Sequence, residues 1–265
     1  MTSAQRWRDR QSTMRPTAEP FDPSRYGVEP ISDDRTARAF VERHHYSGSL
    51  PAARLRLGLY ASRPFFAPEL VGVCVFSVPM TQTVIPHYAP TLAPSEGIEL
   101  GRLVLLDEVP ANAESWFVAR CFRALRLELP EVRLVLSYSD PVRRVAMDGT
   151  VVLPGHVGVV YQALNARYVG RARSRWMHVA DDGRVVSPRA VSKIRNGEKG
   201  ADYAYRQLRS MGAPAMAPGE DPGAYTVRAL QGFRRCFHSG NHSYLWAFDR
   251  RIGLPDALAY PKAAA

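Results

Sequence analysis

The apolar residues near the start of the chain repeat first with the period of a helix and then with that of strands. Residues 32–44 carry apolar side chains three and four apart after a Ser-Asp-Asp start, which is typical of a capped amphipathic helix. Residues 54–60 alternate between apolar and polar positions, and residues 70–78 are almost continuously apolar. Because a short Pro-containing turn, 64–68, joins them, these two strands are predicted to form an antiparallel hairpin.

Strand and helix patterns continue to alternate through the middle of the chain. Residues 99–106 and 133–138 are predicted strands, and the helical pattern of residues 113–129 lies between them. A further helical pattern follows Gly158, and residues 168–178 again have the character of a strand. This order predicts an α/β fold with a mixed, mostly antiparallel sheet flanked by helices.

Composition divides the chain into three parts. Residues 1–29 are polar, contain prolines and lack periodicity, so we expect a flexible basic tail. Residues 30–180 contain the predicted sheet and are expected to form a single domain. Residues 181–265 form a basic extension with a Pro/Gly/Ala-rich stretch, 211–223, and an aromatic strand-like run, 242–248. We expect this extension to pack on the same domain.

The chain has more basic than acidic residues, which bears on the kind of partner it can bind. The chain has 265 residues, a net charge of +10 and 46% hydrophobic residues, so it can bury a core and is not globally disordered. The positive charge suits a nucleic acid or another polyanion, although solubility alone would also explain it.

Cysteine usage and hydropathy favour a cytoplasmic protein without a membrane anchor. The three cysteines are far apart and form no CxxC pair, which argues against a disulfide framework and against a Cys-rich zinc site. The longest apolar run, 70–80, is too short to span a bilayer. The first residues lack the apolar segment of a signal peptide.

Polar side chains gather where one predicted strand ends and the next helix begins. The apolar run 132–136 leads to Asp140-Pro141, which ends the strand because proline cannot donate to a ladder. A basic, Gly-containing excursion separates this pair from the helix. Ligands of open α/β sheets bind at such strand ends. We therefore predict that an active-site floor is formed by Ser137, Tyr138, Asp140, His156, Tyr161, Gln162 and Asn165.

The predicted strand with the sequence ELGRL, 99–103, carries two charges. Arg102 is flanked by apolar residues and therefore needs a partner. A spacing of three places Glu99 and Arg102 on opposite faces of a regular strand. Arg102 could form a buried ion pair, or its planar guanidinium could clamp a phosphate or carboxylate.

Asp140 and Tyr161 each have a structural and a chemical interpretation. An Asp before proline favours a turn, but its carboxylate could also accept a proton from an attacking amine or orient a nucleophile. Tyr161 could be a buried tyrosine with a satisfied hydroxyl. It could instead protonate a leaving group or provide a surface on which a base stacks.

Histidines and one serine extend the candidate set. Imidazoles bind iron, zinc and copper, but no HxH, HExxH or facial-triad spacing is present. We therefore predict no metal ligand and keep iron or another metal as the less favoured alternative. Ser115, near a helix start, is either a first-turn residue or part of an anion site with the helix amides. The histidines considered are His44, His45, His87 and His156.

Basic and aromatic residues interleave in the second half of the chain. Positive charge follows phosphates, and aromatic rings stack on bases, so this region is the candidate nucleic-acid surface. The alternative is a solvated face over an aromatic core. The predicted DNA contacts are Arg143, Arg144, Arg171, Arg173, Arg175, Lys193 and Arg195.

Several short strings occur in an order that resembles one family. The chain is similar to the Mom family of bacteriophage DNA-modification proteins, and the order of its elements resembles the GNAT acyltransferase fold. The strings are His45-Tyr46-Ser47-Gly48, ELGRL at 99–103, NAESW at 112–116, SYSDP at 137–141, GHVGVVYQALN at 155–165 and YPK at 260–262.

The resemblance implies an enzyme that adds a carbamoylmethyl group to the exocyclic amine of adenine in phage DNA, which protects that DNA from host restriction. It implies double-stranded DNA and an acyl or aminoacyl donor, small or carrier-bound, as partners. On this hypothesis the catalytic residues are Asp140, Tyr161, Tyr46 and His45. Donor or substrate would be bound by Arg102, Glu99, Ser115, Ser137, Tyr138, His156 and Asn165.

The sequence departs from the family pattern at two places. GNAT enzymes hold the acyl-CoA pyrophosphate with a Gly-rich loop at a helix start, but the turn 107–112 is acidic and lacks glycine. Acetyl-CoA is therefore not the expected donor. The segment 142–154 lengthens the link between Asp140 and His156, which we expect to lie further apart than in relatives. That segment could be a DNA-contacting loop over the pocket.

Two other functions are compatible with the same residues. A GNAT-fold N-acyltransferase acting on a protein or a small amine would bind acetyl-CoA. A non-catalytic DNA-binding module would not need Asp140 or Tyr161.

Overall fold

A computed structural model of the chain describes residues 3–8, 11–16 and 18–262, with Arg6 and Pro16 as the described side chains of the first two ranges. The strands are β1 (Ser3–Arg8), β2 (Gln11–Pro16), β3 (Tyr26–Pro30), β4 (Ala53–Arg63), β5 (Phe66–Ser77), β6 (Gly97–Leu105), β7 (Leu134–Ser139), β8 (Arg144–Val145), β9 (Val151–Leu153), β10 (Arg167–Arg171), β11 (Arg175–Val179), β12 (Arg234–His238) and β13 (His242–Ala247). The helices are α1 (Asp34–His44), α2 (Val84–Tyr88), α3 (Ala113–Glu128), α4 (Val159–Ala163), α5 (Pro188–Arg195), α6 (Ala201–Ser210) and α7 (Pro222–Gln231).

Seven strands form the main sheet in the order β10-β13-β7-β6-β5-β4-β3. Neighbouring strands are antiparallel except for β6 and β7, which are parallel. The prediction of a mixed, mostly antiparallel sheet flanked by helices is confirmed. The predicted hairpin is formed by β4 and β5.

Helices cover both faces of this sheet. Val73 and Val75 of β5 belong to a buried cluster with residues of α1, whereas Cys74 and Phe76 belong to a cluster with residues of α3. Because successive side chains of a strand point to opposite faces, the two helices lie on opposite sides of the sheet. The continuous apolar character of β5 follows from this double burial.

The capped start of α1 explains where that helix begins. The Asp33 carboxylate accepts a hydrogen bond from the Thr36 backbone N–H at 2.8 Å, so Asp33 rather than Ser32 is the N-cap. The helix ends at His44, and the His45 N–H still donates to the Val41 carbonyl at 2.9 Å. His45 and Tyr46 therefore begin the loop that leaves the helix.

The chain divides into two compact units. The first comprises Met1–Pro141, His156–Ala172 and Asn241–Ala265, and the second comprises Val142–Gly155 and Arg173–Gly240. The predicted boundaries after residues 29 and 180 differ from these. The flexible tail, the catalytic domain and the DNA-contacting extension stay predictions.

Backbone hydrogen bonds close both points at which the chain leaves and re-enters the first unit. The His156 N–H donates to the Asp140 carbonyl at 2.8 Å, and the Ala172 N–H donates to the Asn241 carbonyl at 2.8 Å. The predicted single strand 168–178 crosses one of these points and is two strands, β10 and β11, which belong to different sheets. The sequence pattern does not reveal this boundary, because the residues on both sides of it have the pattern of a strand.

The second unit contains two short antiparallel strand pairs and three helices. Strand β8 pairs with β9, and β11 pairs with β12. Helices α5, α6 and α7 bury a cluster that includes Val191, Ile194, Leu208 and Tyr225. The segment 142–155 is part of this unit, since the Met147 N–H donates to the Asp181 carbonyl at 2.7 Å.

The helices of the described residues are short or polar compared with membrane-spanning helices. Within the ranges that the structure describes, no helix is both long and apolar enough to pass through a bilayer.

Candidate active site

Strands β6 and β7 pair over only three positions and then part. The parallel ladder covers residues 97–99 of β6 and 134–136 of β7, although both strands continue beyond it. The carbonyl of Leu100, the next residue of β6, accepts a hydrogen bond from the Ser137 hydroxyl at 2.9 Å instead. This side-chain bond satisfies a buried carbonyl that the ladder leaves unpaired. We call this point of parting, where β6 and β7 are no longer paired, the candidate cleft.

A bulge in β6 brings two charged residues to one face. Val75 of β5 pairs with Arg102 and Ser77 pairs with Glu99, so Gly101 is an extra residue in the strand. Val75 and Ser77 share a face because they are two residues apart, and paired residues face the same way. Glu99 and Arg102 therefore lie on the same face. The prediction of opposite faces is wrong because it assumed a regular strand.

Glycine at position 101 allows β5 and β6 to approach closely at this bulge. A Cβ at this position would lie 2.4 Å from the Ser77 hydroxyl oxygen and 3.3 Å from a ring carbon of Pro51. The first distance is far below van der Waals contact. Any larger residue at position 101 would therefore push β6 away from β5 or displace Ser77.

Arg102 holds the loop that follows α1. Its Nε donates to the Ser49 carbonyl at 2.9 Å, and its Nη2 donates to the Ser49 hydroxyl at 3.2 Å. The loop itself turns tightly, because the Gly48 N–H donates to the His45 carbonyl at 3.0 Å with Gly48 at φ +55°. With the bond from Nη1 to the Gly101 carbonyl, described residues take three of the five guanidinium N–H groups. Two N–H groups stay available for an anionic ligand.

Glu99 titrates near neutral pH. Burial raises the pKa of its carboxyl from 4.5 to about 7, and the neighbouring Arg102 guanidinium partly opposes that rise. The described residues supply no hydrogen bond or ion pair to this carboxyl. A carboxyl that is half ionised at neutral pH and bound by nothing else is suited to accept and return a proton.

His45 is a neutral imidazole. Burial holds the pKa of its ring well below the ordinary 6.5, and Arg102 and His156 lower it further. Its Nδ1 accepts a hydrogen bond from the Ser47 backbone N–H at 3.1 Å, which assigns the proton to Nε2. The ring lies against that of Tyr46, with 4.2 Å between centroids. His45 therefore offers an N–H donor rather than a positive charge.

Tyr161 has a buried ring and a protonated hydroxyl. The side chain is 7% exposed, and its ring packs on Tyr244 and Trp246 at centroid distances of 5.3 and 5.6 Å. Burial raises the pKa of the hydroxyl, a hydrogen bond with Ser137 lowers it, and Tyr46 and Glu99 are close enough to raise it further. The enclosed ring leaves the hydroxyl as the part of Tyr161 that can take part in chemistry.

Asp140 and His156 are neighbours despite the long segment between them. The His156 N–H donates to the Asp140 carbonyl at 2.8 Å. Burial lowers the pKa of the His156 ring, with a contribution from His242, while the Asp140 carboxylate acts in the opposite direction. The expectation that the lengthened link separates Asp140 from His156 is wrong, because the chain returns to the strand end after residues 142–155. His156 also connects this pair to His45 through their electrostatic interaction.

Three further predicted residues lie around the cleft in different ways. Tyr138 forms a hydrogen bond with Tyr88, and burial raises the pKa of its hydroxyl. Asn165 is exposed at φ +54° and ends the turn after α4 with a backbone bond to the Gln162 carbonyl at 3.0 Å. Ser115 lies in the first turn of α3. Within the described chain, no hydrogen bond or ion pair joins Ser115 or Asn165 to Glu99, Arg102 or His45.

The start of α3 is occupied by the chain itself. The Glu19 carboxylate accepts the Ala111 N–H at 3.1 Å. Arg6 is 5% exposed, and its Nε lies 2.7 Å from Oε1 of Glu114 in the first turn of the helix. Its guanidinium also donates to the carbonyls of Leu106, Val109 and Pro110. Arg6, which was expected in a solvated tail, is buried because it pairs with this helix start.

Strand β13 supplies residues that the sequence prediction missed. His242 lies opposite Ser139 of β7, and its Nδ1 is 2.8 Å from the Tyr168 hydroxyl. Tyr244 and Trp246 form the wall behind Tyr161. The aromatic run 242–248 was predicted to be strand-like, and β13 confirms that prediction. Its position between β7 and β10 had no sequence signal.

The candidate histidines do not assemble with acidic or sulfur ligands. Among the residues that the structure describes, no three side chains of His, Cys, Asp or Glu are grouped closely enough to hold a metal ion. His87 instead lies edge-on to Tyr88, with 4.8 Å between ring centroids.

Six of the seven predicted DNA contacts lie in the second unit, and Arg171 lies in the first. By its sequence the second unit has fourteen Lys or Arg against seven Asp or Glu, so it carries most of the excess charge. Arg144 and Lys193 are partly buried. The exposed members of the predicted set are Arg143, Arg171, Arg173, Arg175 and Arg195.

Two comparisons with known proteins bear on this site. A family model described as the Mom protein family matches residues 25–216. One relative, named Methylcarbamoylase mom, from Escherichia phage Mu, is 27% identical over 168 residues. The match covers 63% of this chain and 62% of the relative, so the chain corresponds to a little under two thirds of that protein's length.

Proposed function

The chain belongs to the Mom protein family, and from this membership we propose that it is a DNA-modifying enzyme. The finer proposal is a transferase that adds a carbamoylmethyl group to the exocyclic amine of adenine in phage DNA and so protects it from host restriction. The name of the phage Mu relative, a methylcarbamoylase, supports this chemistry. The observation that carries the proposal is the placement of Glu99 and Arg102 on one face of β6, where β6 and β7 part.

The target base must leave the duplex before it can react. The exocyclic amine of a stacked, paired adenine is inaccessible to an enzyme cleft, so enzymes of this kind extrude the base. A cleft between two strands can accept a flat base from one side. Asp140, at the end of β7, would accept a hydrogen bond from the amine and hold it in place.

In the proposed transfer step, Glu99 accepts a proton and Tyr161 donates one. The lone pair of the amine nitrogen forms a bond to the donated carbon, and the bond from that carbon to its leaving group breaks with its electron pair. One amine proton passes to the Glu99 carboxylate, and the leaving group takes the proton of the Tyr161 hydroxyl. Protonated Glu99 then returns its proton to the Tyr161 phenolate, which restores both groups. The donated carbon is the methylene carbon of the carbamoylmethyl group, so the donor, an acyl or aminoacyl compound, carries its leaving group on that carbon rather than on a carbonyl carbon.

Arg102 and the imidazole of His45 would bind the donor. The two guanidinium N–H groups that described residues leave available suit a carboxylate or a carbonyl oxygen. We do not propose acetyl-CoA as the donor, because Glu19 and Arg6 occupy the helix start that would hold its pyrophosphate in a GNAT enzyme. A GNAT-like ancestry of the sheet is part of this proposal.

Mass spectrometry of nucleosides tests the proposed function. Plasmid DNA from cells that express the chain is digested to nucleosides, and their masses are compared with those from cells that express the Glu99→Gln variant. We expect a modified deoxyadenosine in the first sample and its loss in the second. The phage Mu relative, expressed in the same cells, is the positive control. If that control yields a modified nucleoside and the folded chain yields only unmodified deoxyadenosine, the proposal is contradicted.

A further inference from the structure

Two large aromatic side chains lie side by side on the surface of the second unit. Trp176 of β11 pairs directly with Phe237 of β12. The two side chains are 58% and 55% exposed, and their rings meet edge to face with 5.5 Å between centroids. Exposed rings that cluster in this way mark interaction sites more often than single exposed apolar residues do.

The opposite face of the same ribbon is fixed to the core. Met177 and Val179, which alternate with Trp176 along β11, are 6% and 2% exposed. Arg234 of β12 donates to the Val145 carbonyl of β8 at 2.9 Å. The ribbon is therefore held from behind, and its outer face presents the rings in a defined position.

Positive charge surrounds the two rings. The guanidinium of Arg235 lies 5.0 Å from the centroid of the Trp176 ring, and Arg235 is exposed. Arg175, at the start of β11, is exposed as well. With twice as many basic as acidic residues in this unit, the partner that fits is polyanionic and has flat apolar faces. A nucleic-acid strand with unpaired bases has both properties.

We propose that Trp176 and Phe237 form a stacking platform for unpaired bases of a DNA strand, with Arg235 binding its phosphates. The choice of DNA rests on the proposed function, in which a base leaves the duplex. The platform would bind the strand that base extrusion frees from pairing. Base contacts here are sequence-tolerant, because every base has a face that can stack.

Binding of labelled oligonucleotides to the full chain tests the platform. Anisotropy is measured with a single strand of about 20 nucleotides and with the fully paired duplex of the same sequence. The double variant Trp176→Ala/Phe237→Ala is expected to lose about tenfold or more in affinity for the single strand and less than about twofold for the duplex. Phe66→Ala, which removes a ring that is 76% exposed in the first unit, is the matched control and is expected to change neither.

Three results would overturn the platform. They are an unchanged single-strand affinity of the double variant, an equal loss on both DNA forms, and an equal loss in the Phe66→Ala control. Both replaced residues are exposed, so the double variant is expected to keep the wild-type circular dichroism and melting temperature. Arg235→Ala is expected to reduce the slope of log affinity against log salt by about one, and an unchanged slope counts against the phosphate contact.

The platform and the proposed modification can fail separately. If the double variant binds DNA normally while wild-type chain modifies adenine, the platform is wrong and the proposed function stands. If the wild-type chain leaves adenine unmodified but the double variant loses single-strand binding, the proposed function is wrong and the platform stands.

Discussion

Glu99 and Arg102 lie on the same face of β6 although they are three residues apart, because Gly101 is an extra residue in that strand. The bulge places a carboxyl that titrates near neutral pH within the field of a guanidinium. Both groups stand where β6 leaves β7. The bulge therefore brings close the guanidinium that partly opposes the rise in the pKa of Glu99 caused by burial.

Replacing Gly101 by alanine is expected to destabilise the fold. The new Cβ would lie 2.4 Å from the Ser77 hydroxyl oxygen, and such overpacking costs about 1–3 kcal/mol. Urea unfolding measures the effect. Gly27→Ala, where no atom lies within 4 Å of the new Cβ, is the control. Ser77→Ala in the Gly101→Ala background is expected to restore much of the loss, and no restoration would show that the clash is not the cause.

Glu99→Gln is expected to abolish the pH dependence of DNA modification near neutrality. If ionised Glu99 accepts the amine proton, the wild-type rate rises as pH rises through about 7. The amide cannot accept the proton, so the rate should fall by a factor of about 10²–10⁴. The rise of the rate near pH 7 should also disappear. Initial rates of adenine modification across pH measure both effects. Glu128→Gln, at an exposed position, is expected to behave as wild type.

The same variant is expected to be more stable than wild type at high pH. The folded-state pKa of Glu99 is about 7 and its ordinary value is 4.5, so folding favours the protonated form. The contribution of Glu99 to stability is therefore fully present below about pH 4.5 and is lost as pH rises through about 7. Well above that pH, Glu99→Gln should be more stable by about 3 kcal/mol. Equal pH dependence of unfolding in the two proteins would contradict this result.

Arg102 is expected to set the pH at which Glu99 ionises. Its positive charge lowers the pKa of Glu99, so Arg102→Ala should move the rising limb of the modification rate to higher pH. Arg102→Lys keeps the charge but loses the two-point bond to Ser49. We expect it to keep the limb near its wild-type position and to lower the rate by loosening loop 45–49. If the pH at which the modification rate rises is the same in Arg102→Ala as in wild type, Arg102 does not influence the ionisation of Glu99.

Arg6→Ala is expected to cost about 3 kcal/mol, because it removes the buried guanidinium that forms an ion pair with Glu114. Three backbone carbonyls also lose a donor. Thermal unfolding compared with Arg43→Ala, an exposed basic residue of α1, measures the difference. The double variant Arg6→Ala/Glu114→Ala is expected to lose less than the sum of the single variants, since it leaves no unpaired charge. Strict additivity would show that the ion pair contributes nothing.

Local patterns predicted the elements of the first unit well. The periodicity of residues 32–44 and 113–129 corresponds to α1 and α3, and the alternation of residues 54–60 lies within β4. These predictions hold because amphipathic periods reflect burial of one face, which both helices and strands require. Motif resemblance identified His45 and Arg102, which the structure brings together.

Long-range pairing limited the remaining predictions. The bulge at Gly101 is defined by the register with β5, and the sequence of β6 alone does not contain that register. Residues 142–154 were expected to form a DNA-contacting loop over the pocket. They belong to the second unit, where β8 and β9 form a pair, and the DNA contact stays a prediction. Arg6 has the sequence context of a solvated residue, and its partner Glu114 lies far along the chain.

Strand β13 lies between β7 and β10, although roughly a hundred residues separate it from β7 in the chain. During synthesis, β7 leaves the ribosome long before the strand that pairs with it. Helices α5, α6 and α7 are close in sequence and can pack early, whereas β7 must wait with an open edge. Tyr161 gains Tyr244 and Trp246 only when β13 arrives. A nascent chain released before residue 242 would thus lack the strand that completes the surroundings of Tyr161.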